Sequence, residues 1–369
     1  MDFSSPKKGF PKKRCGVLGC TGSVGQRFSL LLAEHPHFEL VAVGASERSS
    51  GKTYKEATTW KTSGSMPENI GELTVTLCDP QHFKHCDVVF SGLDSSVAGE
   101  VEDRFLKENI PVFSNAKNHR QDPSVPLVVP TVNISHLDYI KVQRESNGLD
   151  KGFLVCNSNC AVIGIVIPLA AIQASCGAID GLSVVTNQAV SGAGFPGPSM
   201  MEMMDNWIPY ISGEEDKMQP ESRKILGQYD VEGKALVDRT DLKVSATCNR
   251  VAVTDGHGAC VSVRFADRSK VPSAEQVKQA MKDYVSEVQK MECPSAPEKA
   301  IAVMEEADRP QPKLDRDAGR GYTITVGRVR EDPSGFCDII FTALSHNTVI
   351  GASGSSILNA EAAVLKGYL

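Results

Sequence analysis

Short apolar runs alternate with amphipathic stretches along the first part of the chain. Residues 15–19 form an apolar run that ends in glycine, residues 26–35 carry helical amphipathicity, and residues 38–45 are apolar again. This predicts strand, helix and strand, the βαβ unit of a dinucleotide fold. Apolar runs at 73–77, 86–90, 112–114 and 127–129 continue the alternation, with an amphipathic helix expected over 97–108. Strands alternating with helices predict a parallel α/β sheet. After residue 160 the pattern changes. Residues 182–188, 243–253 and 259–265 show β-branched alternation, a long helix is expected over 274–291, and strands over 322–329 and 337–344. Strands and helices in runs predict a mixed, largely antiparallel sheet with helices on one face. A helix over 357–368 closes the chain.

Composition narrows the class. At 369 residues the chain exceeds a typical single core, so two domains are expected. Apolar content of 41% and charged content of 23% are those of a soluble globular protein. A net charge of −6 argues against a nucleic-acid binder. No segment reaches the ~20 apolar residues of a membrane helix. The start, Met-Asp-Phe-Ser-Ser-Pro, has no apolar signal core. Eleven scattered cysteines, an odd number, suit free thiols in a reducing cytoplasm. Lys7, Lys8, Lys12, Lys13 and Arg14 read as a solvated basic arm before the first strand. Residues 191–224, rich in Gly, Pro, Ser and Met, read as a long functional loop with helical pieces.

Candidate chemistry centres on Cys-Asn-Ser-Asn-Cys at 156–160, followed by an apolar run from Ala161. If that run is a helix, Cys160 stands at its N-terminus, where unpaired N–H groups and the dipole favour a thiolate. Cys156 is then the buried end of the preceding strand. The apolar run alone also suits a buried strand, and as a helix it should kink at Pro168. A proton-transfer partner and an anion ligand occur together in Arg250-Val-Ala-Val-Thr-Asp-Gly-His257, on a strand and its following turn. Near the N-terminus, Gly19-Cys-Thr21-Gly22-Ser23-Val24-Gly25 links strand to helix, as a pyrophosphate cradle does. An ordinary strand-to-helix turn could carry the same glycines. The loop after the second strand holds Ser46, Arg48 and Ser49 beside one carboxylate, Glu47. Hydroxyls and an arginine suit a 2′-phosphate, which favours NADP(H). Ser114-Asn-Ala-Lys117-Asn-His-Arg120 ends another strand with two cations suited to an oxyanion or phosphate. Glu221 and Lys224 are three apart on one helical face, either a surface ion pair or a pair of substrate ligands.

Taken in order, these segments resemble aspartate-β-semialdehyde dehydrogenase of the archaeal and fungal branch. The matching stretches are 19–26, 114–120, 157–160, 187–194 (Asn-Gln-Ala-Val-Ser-Gly-Ala-Gly), 221–224, 250–257 and 346–352 (His-Asn-Thr-Val-Ile-Gly-Ala). The resemblance implies reductive dephosphorylation of L-4-aspartyl phosphate to L-aspartate 4-semialdehyde through a cysteine thioester, with NADP as cofactor. It implies Cys160 as nucleophile, His257 as acid/base and Gln188 as a substrate-placing residue. Arg250 would take the substrate α-carboxylate and Glu221 its ammonium, with Arg120, Asn159 and Lys224 on the phosphate. Gly19, Thr21, Gly22, Ser23, Val24, Gly25, Ser46, Arg48, Ser49, Asn347 and Gly351 would hold the cofactor. The implied division is 1–158 with 346–369 as the NADP-binding domain, and 159–345 as the catalytic and dimerisation domain. A homodimer or homotetramer is implied, with no metal, membrane or nucleic-acid partner. The rival readings are N-acetyl-γ-glutamyl-phosphate reductase and malonyl-CoA reductase of the same fold. A non-catalytic NADP-binding protein is a third, which would have no need of Cys160, His257 and the anion ligands together.

Overall fold

The computed structural model describes residues 10–369. The N-terminal part forms a seven-stranded sheet from β1 (Lys13–Leu18), β2 (Phe38–Ala45), β3 (Val75–Leu77), β4 (Val88–Ser91), β5 (Val112–Ser114), β6 (Leu127–Val128) and β7 (Leu154–Asn157). Its order is β3-β2-β1-β4-β5-β7-β6 and every pairing is parallel. Helices on the faces of such a sheet bury its strands on both sides, so the strands read as continuous apolar runs rather than alternations. All four residues of β4 and of β7 are buried. The order reverses between β1 and β4, which opens a crevice beyond their carboxyl ends, the place where such sheets take ligands. β1 begins earlier than the apolar pattern suggests. Lys13 and Arg14, read above as part of the basic arm, pair with Phe38 and Glu39. Lys7 and Lys8 lie outside the described residues.

The second sheet uses β8 (Ile179–Gln188), β11 (Lys243–Arg250), β12 (His257–Phe265), β13 (Ile301–Val303), β14 (Ile324–Glu331) and β15 (Ile339–Ser345), in the order β11-β8-β12-β15-β14-β13. A small hairpin of β9 (Gln228–Asp230) and β10 (Ala235–Val237) stands apart. The pairs β8–β12, β12–β15 and β14–β15 are antiparallel, while β8–β11 and β13–β14 are parallel. The mixed, largely antiparallel sheet expected from the sequence is therefore present. Helices Cys160–Cys176 and Ala274–Lys282 pack on each other and on this sheet.

The Cys160–Cys176 helix joins the two sheets. It leaves the end of β7 and is capped by Asn159, whose Oδ1 accepts from the N–H groups of Ala161 (2.9 Å) and Val162 (3.3 Å). Over residues 161–169 it is apolar all round because it is buried all round. Ala161 to Leu169 are buried without a gap, and each fully buried branched side chain there contributes ~1.5–3 kcal/mol. That packing carries the helix through Pro168, where one backbone bond is lost. The helix expected over 274–291 is two, Ala274–Lys282 and Glu287–Lys290. Ser286 and Gln289 form a capping box that restarts the second. At the end of the chain, helix Gly354–Leu365 returns to β5 and β7, almost wholly buried.

Candidate active site

Cys160 is the first residue of its helix, where the sequence places it. It faces a cavity of about 480 Å³ between the two sheets. His257, the first residue of β12 rather than part of a turn, brings Nε2 to 3.3 Å from Cys160 Sγ. The other ring nitrogen, Nδ1, accepts the backbone N–H of Ala189 at 3.1 Å. A nitrogen that accepts this bond cannot hold the proton, so the neutral ring carries it on Nε2 and presents N–H to the sulfur. Burial, reinforced by Arg250, pushes the His257 pKa down to about 3. Burial, reinforced by Glu214, pushes the Cys160 thiol up to about 12, against the pull of Arg120, Arg250 and Lys217. The helix start is present, yet burial first and the Glu214 carboxylate next raise the thiol. The resting pair is a neutral thiol beside a neutral imidazole.

Close packing fixes this pair. A Cβ on Gly192 would come 2.9 Å from both Arg250 Nη1 and His257 Nε2, and one on Gly351 would come 3.2 Å from Cys160 Cβ. Both glycines line the cavity. Asn347 accepts the N–H of Gly256 with Oδ1 and donates from Nδ2 to Ser191 Oγ, both at 2.8 Å. It thereby ties the turn before His257 to the loop that carries Gly192. Arg250 ends β11, donates from Nη1 to Ala189 O at 2.6 Å and lines the cavity.

Two residues absent from the sequence reading line the same cavity, Glu214 and Lys217. Lys217 Nζ lies 2.5 Å from Glu214 Oε1. Glu214 also accepts from Asn159 Nδ2 at 2.9 and 3.1 Å and from Gln188 Nε2 at 3.3 Å. Asn159 is thus occupied at both ends, by its helix and by Glu214. The expected pair, Glu221 and Lys224, lies behind the cavity wall. Glu221 pairs with Arg120 Nη1 at 3.1 Å and accepts from Ser158 Oγ at 3.1 Å and Asn159 N at 2.7 Å. Lys224 Nζ donates to the carbonyls of Arg120 (2.9 Å) and Asp122 (2.6 Å). Arg120 and Lys117 both reach the cavity. A signal was present in the sequence: Glu-x-x-Lys occurs at 214–217 as well as at 221–224.

The glycine turn closes the other side of the cavity through Ser23 and Val24. Gly19 has φ +72°, and a Cβ on Gly25 would meet Gly19 O at 2.1 Å, so the turn tolerates no side chain at either position. Gly22 precedes the Ser23–Ala33 helix and offers no capping side chain, which leaves that N-terminus to a ligand. Thr21 accepts from Gln26 Nε2 through its carbonyl at 2.8 Å. Ser46 and Arg48 are exposed and Ser49 half-buried at the end of β2, the edge where a 2′-phosphate would be met. A second cavity of about 550 Å³ opens alongside and shares Ser23, Ser191, Gly194 and Thr348 with the first. Phe195, Pro196, Pro198, Met200 and Met203 line it, with no nucleophilic thiol.

The family models for the semialdehyde dehydrogenase NAD binding domain and the semialdehyde dehydrogenase dimerisation domain match residues 14–140 and 169–350. Aspartate-semialdehyde dehydrogenase of Aspergillus fumigatus is 62% identical over 361 residues, covering 98% of this chain and 99% of that protein. The chain belongs to the aspartate-semialdehyde dehydrogenase family. The enzyme of Saccharomyces cerevisiae is 50% identical over 357 residues, covering 95% of this chain and 97% of that protein. Among solved structures, aspartate semialdehyde dehydrogenase with NADP from Candida albicans matches with a TM-score of 0.90 and 48% identity, over 97% of this chain and 100% of that one. Aspartate semialdehyde dehydrogenase II complexed with ASA from Vibrio cholerae shares the fold, with a TM-score of 0.72 at 24% identity, over 96% and 98% of the two chains.

Proposed function

We propose that this chain catalyses the NADP-dependent reductive dephosphorylation of L-4-aspartyl phosphate to L-aspartate 4-semialdehyde. The observation that carries the reading is the Cys160–His257 pair at 3.3 Å in a cavity lined by Arg120, Lys117, Arg250, Glu214 and Lys217. Those groups suit a small substrate with two anionic ends and one ammonium. Cys160 Sγ bonds to the acyl carbon as the bond from that carbon to the phosphate oxygen breaks; phosphate leaves toward Arg120 and Lys117 carrying the thiol proton, and a thioester remains on Cys160. His257 Nε2–H donates a hydrogen bond to the carbonyl oxygen as negative charge develops there, on attack and again when the thioester carbon is reduced. After two-electron reduction of the thioester carbon, collapse of the reduced tetrahedral adduct breaks the carbon–sulfur bond and releases the aldehyde, and the sulfur takes a proton back from solvent. NADPH, when bound, supplies the reducing equivalent. The glycine turn with Thr21, Ser23 and Val24 would hold its pyrophosphate, Ser46, Arg48 and Ser49 its 2′-phosphate, and Asn347 and Gly351 the end nearest Cys160.

Arg250 is the ligand we assign to the substrate carboxylate, and Gln188 helps to place the substrate. The geometry favours Glu214 over Glu221 for the ammonium, because its carboxylate faces the cavity while that of Glu221 is spent on Arg120. Asn159 and Lys224 act through their neighbours: Asn159 orients Glu214, and Lys224 fixes the backbone at Arg120. The division into residues 1–158 with 346–369, and 159–345, fits the two sheets and the returning C-terminal helix. A homodimer or homotetramer fits the exposed Phe195, Met200, Met201, Trp207 and Tyr210 on one loop. A cytoplasmic location fits eleven cysteines that are all free.

The test is turnover of the purified chain on L-aspartate 4-semialdehyde with inorganic phosphate, with NADP⁺ and NAD⁺ in parallel. Phosphate-dependent reduction, with NADP⁺ preferred, is expected. Higher turnover on N-acetylglutamate semialdehyde or a malonyl thioester would overturn the substrate assignment.

A further inference from the structure

A buried carboxylate outside the cavity stands directly behind the turn that carries its phosphate-side cations. Glu102, on helix Ser95–Lys107, has no solvent exposure. Its Oε1 accepts from Ser114 Oγ at 2.7 Å, and Ser114 Oγ in turn accepts the N–H of Ala116 at 3.0 Å. Beyond that residue the backbone runs through Lys117 to Arg120, and Asn115, Ala116, Lys117 and Arg120 all face the cavity. Arg120 closes the turn by donating from Nη2 to Asn115 O at 2.8 Å. The other carboxylate oxygen, Glu102 Oε2, lies 3.8 Å from His119 Nε2, and neither atom has a hydrogen-bond partner among the described residues. A buried carboxylate is costly to keep unless its bonds do something. Burial pushes its carboxyl above the usual range, against the hydrogen bond from the Ser114 hydroxyl. Asn118 adds a second tether, donating to Ser95 O at 2.9 Å at the start of the same helix.

We propose that Glu102 is a positioning residue for the anion-binding turn: through the Ser114 hydroxyl it sets the backbone from Asn115 to Arg120, and so the approach of Lys117 and Arg120 to phosphate. Glu102 touches neither substrate nor cofactor. Its effect falls on the one subsite that this turn serves. The inference rests on the reading of the turn as the phosphate side of the cavity.

The test measures KM for inorganic phosphate, for semialdehyde and for NADP⁺, with melting temperature as a control. Glu102→Ala raises KM for phosphate about tenfold, the scale expected when a positioned group shifts by a fraction of an ångström, and leaves the other two within about twofold. Glu102→Gln keeps an acceptor for the Ser114 hydroxyl and restores most of the loss. Should Glu102→Ala fail to fold, Ser114→Ala removes the relay alone and shows the same selective rise. Lys117→Ala separates the two layers of the claim. If it raises KM for phosphate while Glu102→Ala and Ser114→Ala do not, the relay is wrong. If none of the three raises it, the turn is not the phosphate side, and the proposal falls with that reading. An equal rise in all three constants for the Glu102 variants also overturns it.

Discussion

Glu214 and Glu221 are seven residues apart, about two helical turns, and each is followed three residues later by a lysine. Both are buried, at 8% and 1% exposure. Their tasks differ. Glu214 stands at the start of the Glu215–Ile225 helix, faces Cys160 across the cavity, and holds Lys217, Asn159 and Gln188. Glu221 sits two turns deeper, where its oxygens are consumed by Arg120, Ser158 and the Asn159 backbone. The same pattern of residues thus supplies a ligand at the mouth and a brace behind the wall. Where the helix docks, not the pattern, decides which is which.

Paired substitutions break or sharpen that contrast. The largest effect is expected from Glu221→Ala, which leaves Arg120 buried without its counter-charge. Breaking a buried pair in this way costs about 3–5 kcal/mol, read as a fall in denaturation midpoint. Glu214→Gln keeps one acceptor oxygen for Asn159 and Gln188 and leaves Lys217, a quarter exposed, able to turn to solvent, so it destabilises far less than Glu221→Ala. It lowers kcat/KM for the semialdehyde by about 10- to 100-fold, since a bond to a charged group is worth ~1.5–3 kcal/mol. Equal losses of stability in the two variants would erase the distinction.

A smaller effect reads the sulfur directly. The Cys160 thiol is pushed up to about 12, by burial first and then by Glu214, so its neutral form dominates at neutral pH. Alkylation of the ligand-free enzyme at Cys160 therefore climbs about tenfold per pH unit between pH 6 and 9, without a plateau. Glu214→Gln removes a charge that opposes the thiolate and speeds alkylation at fixed pH. Glu221→Gln leaves the rate where it was. A plateau near neutral pH in the native enzyme would show that the helix dipole prevails after all.

How much of this was legible in the sequence varies with the physics involved. The glycine turn could be read because only glycine tolerates the backbone approach at Gly25 and the positive φ at Gly19. The alternation of strands and helices could be read because burial on both faces leaves uninterrupted apolar runs, as in β4 and β7. A cysteine set off by a polar turn before an apolar run was legible, but that the run is a helix was not, because its apolar residues suit a buried strand equally and the helix came with the resemblance. The pKa of Cys160 was not legible either, because the rise comes from burial in the closed site first and then from Glu214, brought across the cavity by a helix whose docking no local pattern encodes. The proton on His257 Nε2 was equally hidden, since it depends on the amide of Ala189 at the end of a neighbouring strand. The break at Ser286 was legible in principle, as Ser-x-x-Gln inside a helical run.

The central claim is that Cys160 carries the acyl group between the departing phosphate and reduction. The most direct measurement is phosphate-dependent NADP⁺ reduction with L-aspartate 4-semialdehyde by Cys160→Ala, alongside the native chain and Cys156→Ala. The account predicts that Cys160→Ala falls by at least about 10⁴-fold, as loss of a covalent nucleophile does. Cys156→Ala, lacking only a buried strand residue, stays within about tenfold of native. Phosphate-dependent activity that survives in Cys160→Ala would contradict the account.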